Sequence, residues 1–283
     1  MGLPLRSAPV RLLDDRDLPA VRQLLARDPV TDVFVASRVD ACGLDPWRLG
    51  AEVWGHVVDG RIAALCYSGA NLWPVGAGSA SLRLFAERAR RAGRRCSSIV
   101  GEAGCVAELW RHLEPCWGPA REVRDAQPLL VIDGPPLVKP DPGVRVVRPD
   151  ELDVLMPASV AMFTEEIGVS PVLADGGALY RARVAEFIGH RRSFARIEDG
   201  RVLFKAEIGA VAAGVCQVQG VWVAPEHRGR GLGATGTASV VALARSLYAP
   251  VVSLYVNDFN LPARRAYDRV GFRRVGTFAS VLF

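Results

Sequence analysis

The residues with the plainest chemical meaning run from Val221 to Ala234 and read VWVAPEHRGRGLGA. An apolar strand pattern gives way to three glycines in five residues, and a helical pattern starts at once. Such a turn presents successive main-chain N–H groups at the positive end of a helix, where a pyrophosphate can be held. Glycine suits Gly229, Gly231 and Gly233 because a Cβ would keep phosphate oxygens off the main chain. Arg228 and Arg230 add positive charge at the rim. An ordinary glycine-rich strand-to-helix turn is the plainer alternative. Gly231, Gly233 and Gly236 also spell G-x-G-x-x-G, and Asp258 ends the next strand, which is the pattern of a dinucleotide site. A dinucleotide domain opens with that fingerprint and continues with several more parallel strands. Here only one further helix and three short strands follow, too little chain for such a sheet.

Downstream stand SLYVNDFN over Ser253–Asn260, LPARRAY over Leu261–Tyr267, and then Gly271-Phe272. Together with the loop, these residues resemble the GNAT superfamily of N-acetyltransferases. Its R/Q-x-x-G-x-G/A loop is matched by Arg228, Gly231 and Gly233, and its N-x-x-A, tyrosine and Gly-Phe follow in order. The resemblance implies two parallel strands that part, with acyl-coenzyme A, most simply acetyl-CoA, in the gap. The pantetheine arm would then lie along Val221, Trp222 and Val223, with the Val223 amide polarising the thioester carbonyl. The amides of Gly229, Arg230, Gly231, Leu232, Gly233 and Ala234 would take the pyrophosphate. Asn257 and Asn260 would hold the arm from the other side, Asn260 being equally suited to cap the helix that follows. Tyr267, two helical turns beyond Asn260 and so on the same face, would give a proton to the departing thiolate; the alternative is a core aromatic residue.

An amine acceptor must first lose a proton, and for an alkylamine of pKa ~10 that costs about 4 kcal/mol at pH 7. Some members of the family place a glutamate or histidine on the strand entering the loop. This chain has Gln217 and Gln219 there, which orient a substrate but take no proton. Glu207 on the preceding strand, and Glu165 and Glu166 at the end of the first helix of this half, are the remaining candidates for the acceptor side. His227 reads as a surface residue, and Lys205 as a residue paired on its own strand. No metal-ligand spacing is present.

Positioning this site requires an α/β fold. Val144–Val147 reads as a strand and Asp150–Ile167 as a helix stopped by Gly168; a second helix covers Ala178–Ile188. Strands follow at Ser193–Ile197, Val202–Ile208 and Val215–Val223, then a helix from Gly231 to Tyr248, a strand at Val251–Val256, a helix from Leu261 to Val270 and two closing strands, Phe272–Val275 and Phe278–Leu282. The first half repeats the landmarks. VRLLDDRDLPAV from Val10 lines up with VRVVRPDELDVL from Val144, and DGRI after Val58 with DGRV after Glu198. The expected organisation is a tandem of GNAT-like acyl-CoA acyltransferase folds, each a mixed, mostly antiparallel sheet flanked by helices. Residues 1–132 form a degenerate copy, since PVGAGS after Trp73 carries no arginine and no Asn-Tyr pair follows. Residues 133–143 form a proline-rich linker and 144–283 the catalytic domain. This layout resembles tandem members of the family with an amino-terminal domain of unknown function.

Composition sets the outer limits. The 283 residues are 50% apolar and 23% charged, which suits packed domains and excludes a disordered chain. All basic side chains other than Lys139 and Lys205 are arginines, spread without runs or interleaved aromatics, so the net charge of +5 argues for a solvated surface and against nucleic-acid binding. No apolar run reaches the ~18–20 residues of a membrane span, and the start of the chain shows no export or lipidation signal. Six cysteines without C-x-x-C pairs read as reduced core residues. The expectation is a cytoplasmic acetyltransferase acting on an amine, a homodimer being left open. A non-catalytic acyl-CoA sensor and a protein lysine or amino-terminal acetyltransferase are the alternatives.

Overall fold

The computed structural model describes residues 10–172 and 176–283. Residues 1–9, on which the absence of an export or lipid signal was read, lie outside the described part. The chain divides into two compact units, the first comprising Met1–Leu129 with Val275–Phe283, the second Leu130–Arg274. Both are mixed α/β folds with mostly antiparallel sheets flanked by helices.

In the first unit β1 (Val10–Leu12), β2 (Glu52–Val58), β3 (Arg61–Ser68) and β4 (Asn71–Val75) form an antiparallel run. β5 (Ser98–Glu102) lies parallel to β4. Helices α1 (Leu18–Leu25), α2 (Val33–Cys42) and α3 (Pro46–Leu49) fill the connection from β1 to β2, while α4 (Ser79–Ala92) crosses over from β4 to β5. α5 (Ala103–Trp117) leads to β6 (Glu122–Ile132).

The second unit repeats this order. β7 (Val144–Val146), β8 (Ser193–Glu198), β9 (Arg201–Ala212) and β10 (Val215–Val223) run antiparallel, and β11 (Val251–Tyr255) lies parallel to β10. α6 (Leu152–Ile167) and α7 (Ala178–Gly189) precede β8, α8 (Leu232–Leu247) is the crossover, and α9 (Leu261–Val270) follows β11. The repeated sequence landmarks are repeated structures. A 3-10 turn opens the helical segment after β1 at Asp15–Asp17 and after β7 at Pro149–Glu151. Asp59-Gly60 and Asp199-Gly200 both take positive φ at two consecutive residues, the geometry that tightens a two-residue hairpin.

Two details differ from the sequence reading. The closing strands expected on either side of Gly276-Thr277 are one strand, β12 (Arg273–Leu282). From Phe278 onward it pairs antiparallel with β5, so the carboxy-terminal residues expected in the second half complete the sheet of the first unit. The cysteines are all free, but only Cys66, Cys96 and Cys216 are buried; Cys116, in the last turn of α5, is exposed. The proline-rich segment is strapped to its own unit. Asp141 accepts from Arg196 at 2.7 Å, and its carbonyl accepts from the Ser239 hydroxyl at 2.8 Å.

Candidate active site

Alternation along β9 divides the second unit's sheet into two faces. Phe204, Ala206 and Ile208 join Cys216, Val218, Val252 and Leu254 in the apolar core under α8. Lys205 and Glu207 point to the opposite face. The cross-strand pairs Ser193–Glu207, Gln219–Glu207 and Trp222–Lys205 put those residues on that face too. α6 packs against this region of β9 and β10.

The strands part where the chemistry was expected. Among the described residues, the parallel pairing of β10 with β11 runs through Val215–Gln217 and Val251–Ser253, while β10 continues to Val223 and β11 to Tyr255. The divergence has a local cause: β10 shifts register against β9 between Gln219 and Trp222, at Gly220 with φ +60°. A bulge on one edge of β10 bends the strand away from its neighbour on the other.

Beyond Val223 a 3-10 turn at Pro225–His227 leads into the glycine loop, and Gly231 takes φ +87° as N-cap of α8. Among the described residues, no side chain caps this helix. Among the described residues, the amides of Gly229, Arg230, Gly231, Leu232 and Gly233 have no hydrogen-bond acceptor. The Ala234 amide, expected to join them, is taken by the Gly231 carbonyl at 3.0 Å. Five uncommitted donors at the positive end of a sixteen-residue helix fit an anionic phosphate chain. The third glycine of the G-x-G-x-x-G string does different work. A Cβ at Gly236 would lie 2.6–2.8 Å from ring carbons of Phe204, so this glycine lets α8 press onto β9.

Arg228 is tied to the end of β10 and to α6. Its Nε donates to the Val223 carbonyl at 2.9 Å and its Nη2 to Glu165, which also accepts from the Trp222 indole at 3.1 Å. Glu165 thereby ties α6 to the end of β10. Glu166 accepts from Asn257 Nδ2 at 3.1 Å, tying the same helix end to the exit of β11. The two glutamates thus flank the parting strands. Asn260 is the N-cap of α9, its Oδ1 accepting from the Ala263 amide at 3.2 Å.

Tyr267 lies on the buried side of α9, 6% exposed, its ring edge-on to Phe272 with centroids 5.9 Å apart. No partner of its hydroxyl is recorded among the described residues. Burial, and then the nearby Glu166 carboxylate, push its pKa well above that of an ordinary phenol. It therefore stays protonated and able to donate at neutral pH. Glu207 is ion-paired with Lys205, Nζ to Oε1 at 2.6 Å, and both side chains are buried. Gln217 is buried with its Nε2 unpaired, and Gln219 lies over Gly209, where it would collide with any side chain. Sequence reasoning missed Gly220, whose role depends on a bulge that no local pattern announces, and Ser159 and Ser193, whose buried hydroxyls are unpaired.

Comparison with known proteins gives this arrangement a context. Residues 174–272 match the acetyltransferase (GNAT) family, and residues 51–155 match a domain of unknown function, DUF4081. No curated protein matches the sequence. Among solved structures, a GNAT-family acetyltransferase from Colwellia psychrerythraea superposes with a TM-score of 0.56 at 13% identity, covering 97% of this chain and 99% of that one. A GCN5-related N-acetyltransferase from Sphaerobacter thermophilus gives 0.55 at 18%, covering 96% and 95%. A tandem GNAT protein from the clavulanic acid biosynthesis pathway gives 0.51 at 15%, covering 96% and 98%. At these identities the likeness is one of fold. Parted strands, an open run of loop amides and the sequence match over residues 174–272 agree: the chain carries an acetyltransferase domain of the GNAT family, preceded by a DUF4081 domain.

Proposed function

We propose that the second unit transfers an acetyl group from acetyl-CoA to a primary amine, by direct attack while both are bound. The observation that carries this reading is the run of uncommitted amides from Gly229 to Gly233 beside the gap between β10 and β11. The loop amides hold the pyrophosphate, and the free edge of β10 around Val221 and Val223 takes the pantetheine amides. The amine, having released one proton, attacks the thioester carbonyl; a C–N bond forms and the C–S bond breaks. Tyr267 gives its proton to the leaving thiolate, and the second proton shed by nitrogen restores the phenol, so the products are an amide and free coenzyme A. Trp222 and Arg228, fixed by Glu165, wall the loop, and Asn257 with Glu166 sets the far side of the gap. Holding both reactants in one geometry supplies much of the rate.

The test is calorimetric titration with coenzyme A, followed by thiol release from acetyl-CoA over a panel of amines. Binding in the micromolar range and acceptor-dependent thiol release support the reading. Absence of coenzyme A binding overturns it, and binding without transfer to any acceptor favours a sensor.

A further inference from the structure

The glycine loop and α9 are neighbours. A Cβ at Gly233 would lie 3.7 Å from Val223 Cγ2 and 4.0 Å from Ala266 Cβ, so the start of α8 borders the middle of α9. α9 buries Ala266, Tyr267 and Val270 and leaves Arg264, Arg265, Asp268 and Arg269 exposed. At about 100° per residue, Arg269 falls about 60° and Arg265 about 100° to one side of Ala266, whereas Tyr267 falls about 100° to the other side and Asp268 nearly opposite. Arg265 and Arg269 therefore stand one turn apart on the outer flank of the helix face that meets the loop.

The arginines around the loop differ in how they are engaged. Arg228 is bonded to Glu165 and the Val223 carbonyl, and Arg264 donates to the Asp258 carbonyl at 2.8 Å. For Arg230, Arg265 and Arg269 no hydrogen bond or ion pair is recorded among the described residues. Arg230 belongs to the loop itself, where the main-chain amides already match a pyrophosphate. The two α9 guanidinium groups are surplus to that task. Coenzyme A carries one further phosphate, a monoester on the ribose 3′ oxygen, with a charge of about −1.5 to −2 at neutral pH. Paired guanidinium forks are the side chains best suited to such an anion.

Resting on the acetyl-CoA reading above, we propose that Arg265 and Arg269 receive the 3′-phosphate of the cofactor. α9 then serves both ends of the bound molecule: Tyr267, on its buried side, attends the thioester, and the two arginines, on its outer flank, hold the far phosphate. The consequence is a choice of donor. A free acyl-coenzyme A carries the 3′-phosphate, whereas an acyl group on a carrier protein's phosphopantetheine arm does not, so the chain selects the free thioester.

The experiment titrates the full chain with coenzyme A and with 3′-dephospho-coenzyme A, by calorimetry at 50 mM salt. Wild type should bind coenzyme A about tenfold or more tightly, and the margin should shrink at 1 M salt, where exposed charges are screened. The double variant Arg265→Gln with Arg269→Gln keeps helix propensity, since glutamine and arginine are close on that scale. It should bring the two affinities to within about twofold of each other, by weakening coenzyme A while leaving the dephospho form nearly unchanged. Equal affinities in wild type overturn the proposal. A preference for coenzyme A that survives in the double variant also overturns it, because the 3′-phosphate is then held elsewhere. Equal weakening of both ligands assigns the arginines to the pyrophosphate and overturns it as well. Failure of wild type to bind either ligand would instead remove the acetyl-CoA reading, and this inference with it.

Discussion

Arg228 Nη2 donates to both carboxylate oxygens of Glu165, at 3.0 and 2.8 Å, so the arginine beside the glycine loop is engaged by α6. The pair is about half-exposed on both sides, so its contribution to stability is at most about 1 kcal/mol and falls with salt. Its larger effect is on where the guanidinium charge sits. Glu165→Gln releases Arg228 toward bound phosphates and should tighten coenzyme A binding by up to about fivefold at low ionic strength. Arg228→Gln should weaken it. Titrations at 50 mM and 1 M salt check this; equal affinities for both variants and wild type would remove Arg228 from the phosphate site.

Gly231 and Gly236 belong to one motif string but should fail in different ways. Gly231 has φ +87° and open space where a Cβ would go, so substitution strains the backbone by about 1–2 kcal/mol and intrudes on the phosphates. Gly236 abuts Phe204, and a methyl group there should overpack α8 against β9 by about 1–3 kcal/mol. Gly231→Val should therefore abolish coenzyme A binding in a folded protein. Gly236→Ala should lower the melting temperature while coenzyme A affinity changes little. Calorimetry and thermal melts on the same samples separate the two.

Tyr267→Phe removes one hydroxyl and keeps the ring packed on Phe272. Coenzyme A affinity should stay close to wild type, and turnover should fall by about 10²–10³-fold if the phenol protonates the thiolate. The raised pKa also has a stability consequence. The unfolded chain loses the phenolic proton near pH 10 while the folded chain keeps it, so this group's contribution is complete below pH 10 and declines as pH rises beyond. Alkaline denaturation should begin at higher pH in the Tyr267→Phe variant.

Much of this site was legible because it depends on local pattern. Three glycines between a strand and a helix had to make a turn rich in free amides, and the spacing of Asn260 and Tyr267 had to put both on one side of α9. Asn260 could be read as a cap or as a ligand, and the hydrogen bond to Ala263 shows the cap. What escaped depends on tertiary registration. Gly220 gains meaning only through the slip of β10 against β9, and Glu165 and Arg228 are brought together by helix packing across a separation no motif spans. Likewise, nothing local tied Phe278 to β5, because strand pairing between distant segments is decided by the whole sheet.

Asp32, at the N-terminus of α2, is 6% exposed and its side chain makes no capping bond. Burial, and then the charge of Asp28, raise its pKa to about 8. Between the ordinary carboxylate range and about pH 8 the folded state holds a proton that the unfolded chain has lost. Stability contributed by this group is therefore complete at acid pH and falls as pH rises, by up to about 1.4 kcal/mol per pH unit. Asp32→Asn should flatten this slope and raise the melting temperature more at pH 8 than at pH 5. Identical pH profiles for the variant and the wild type would show that the carboxyl is solvated.

The first unit keeps the topology of a parting strand pair, with β4 and β5 joined, among the described residues, through Asn71–Leu72 and Ser98–Ile99, but rings pack beside the gap. Phe34 stacks on Trp73 at 4.9 Å, and Tyr67 and Phe278 meet them edge-on at 5.7 and 5.5 Å. Trp73 is itself on β4, and its indole nitrogen lies 3.6 Å from where a Cβ at Gly101 of β5 would be, so the rings border the gap between these two strands. The connection from β4 to α4 carries no arginine to offset phosphate charge. Coenzyme A should accordingly saturate the full chain at one equivalent, and Gly231→Val alone should remove all of it. A second equivalent, or binding that survives Gly231→Val, would show that the aromatic cluster yields to a ligand and that both copies of the fold are used. Opening the cluster with Phe34→Ala, a half-buried ring, should destabilise the first unit without creating a second site, because the missing arginines remain missing.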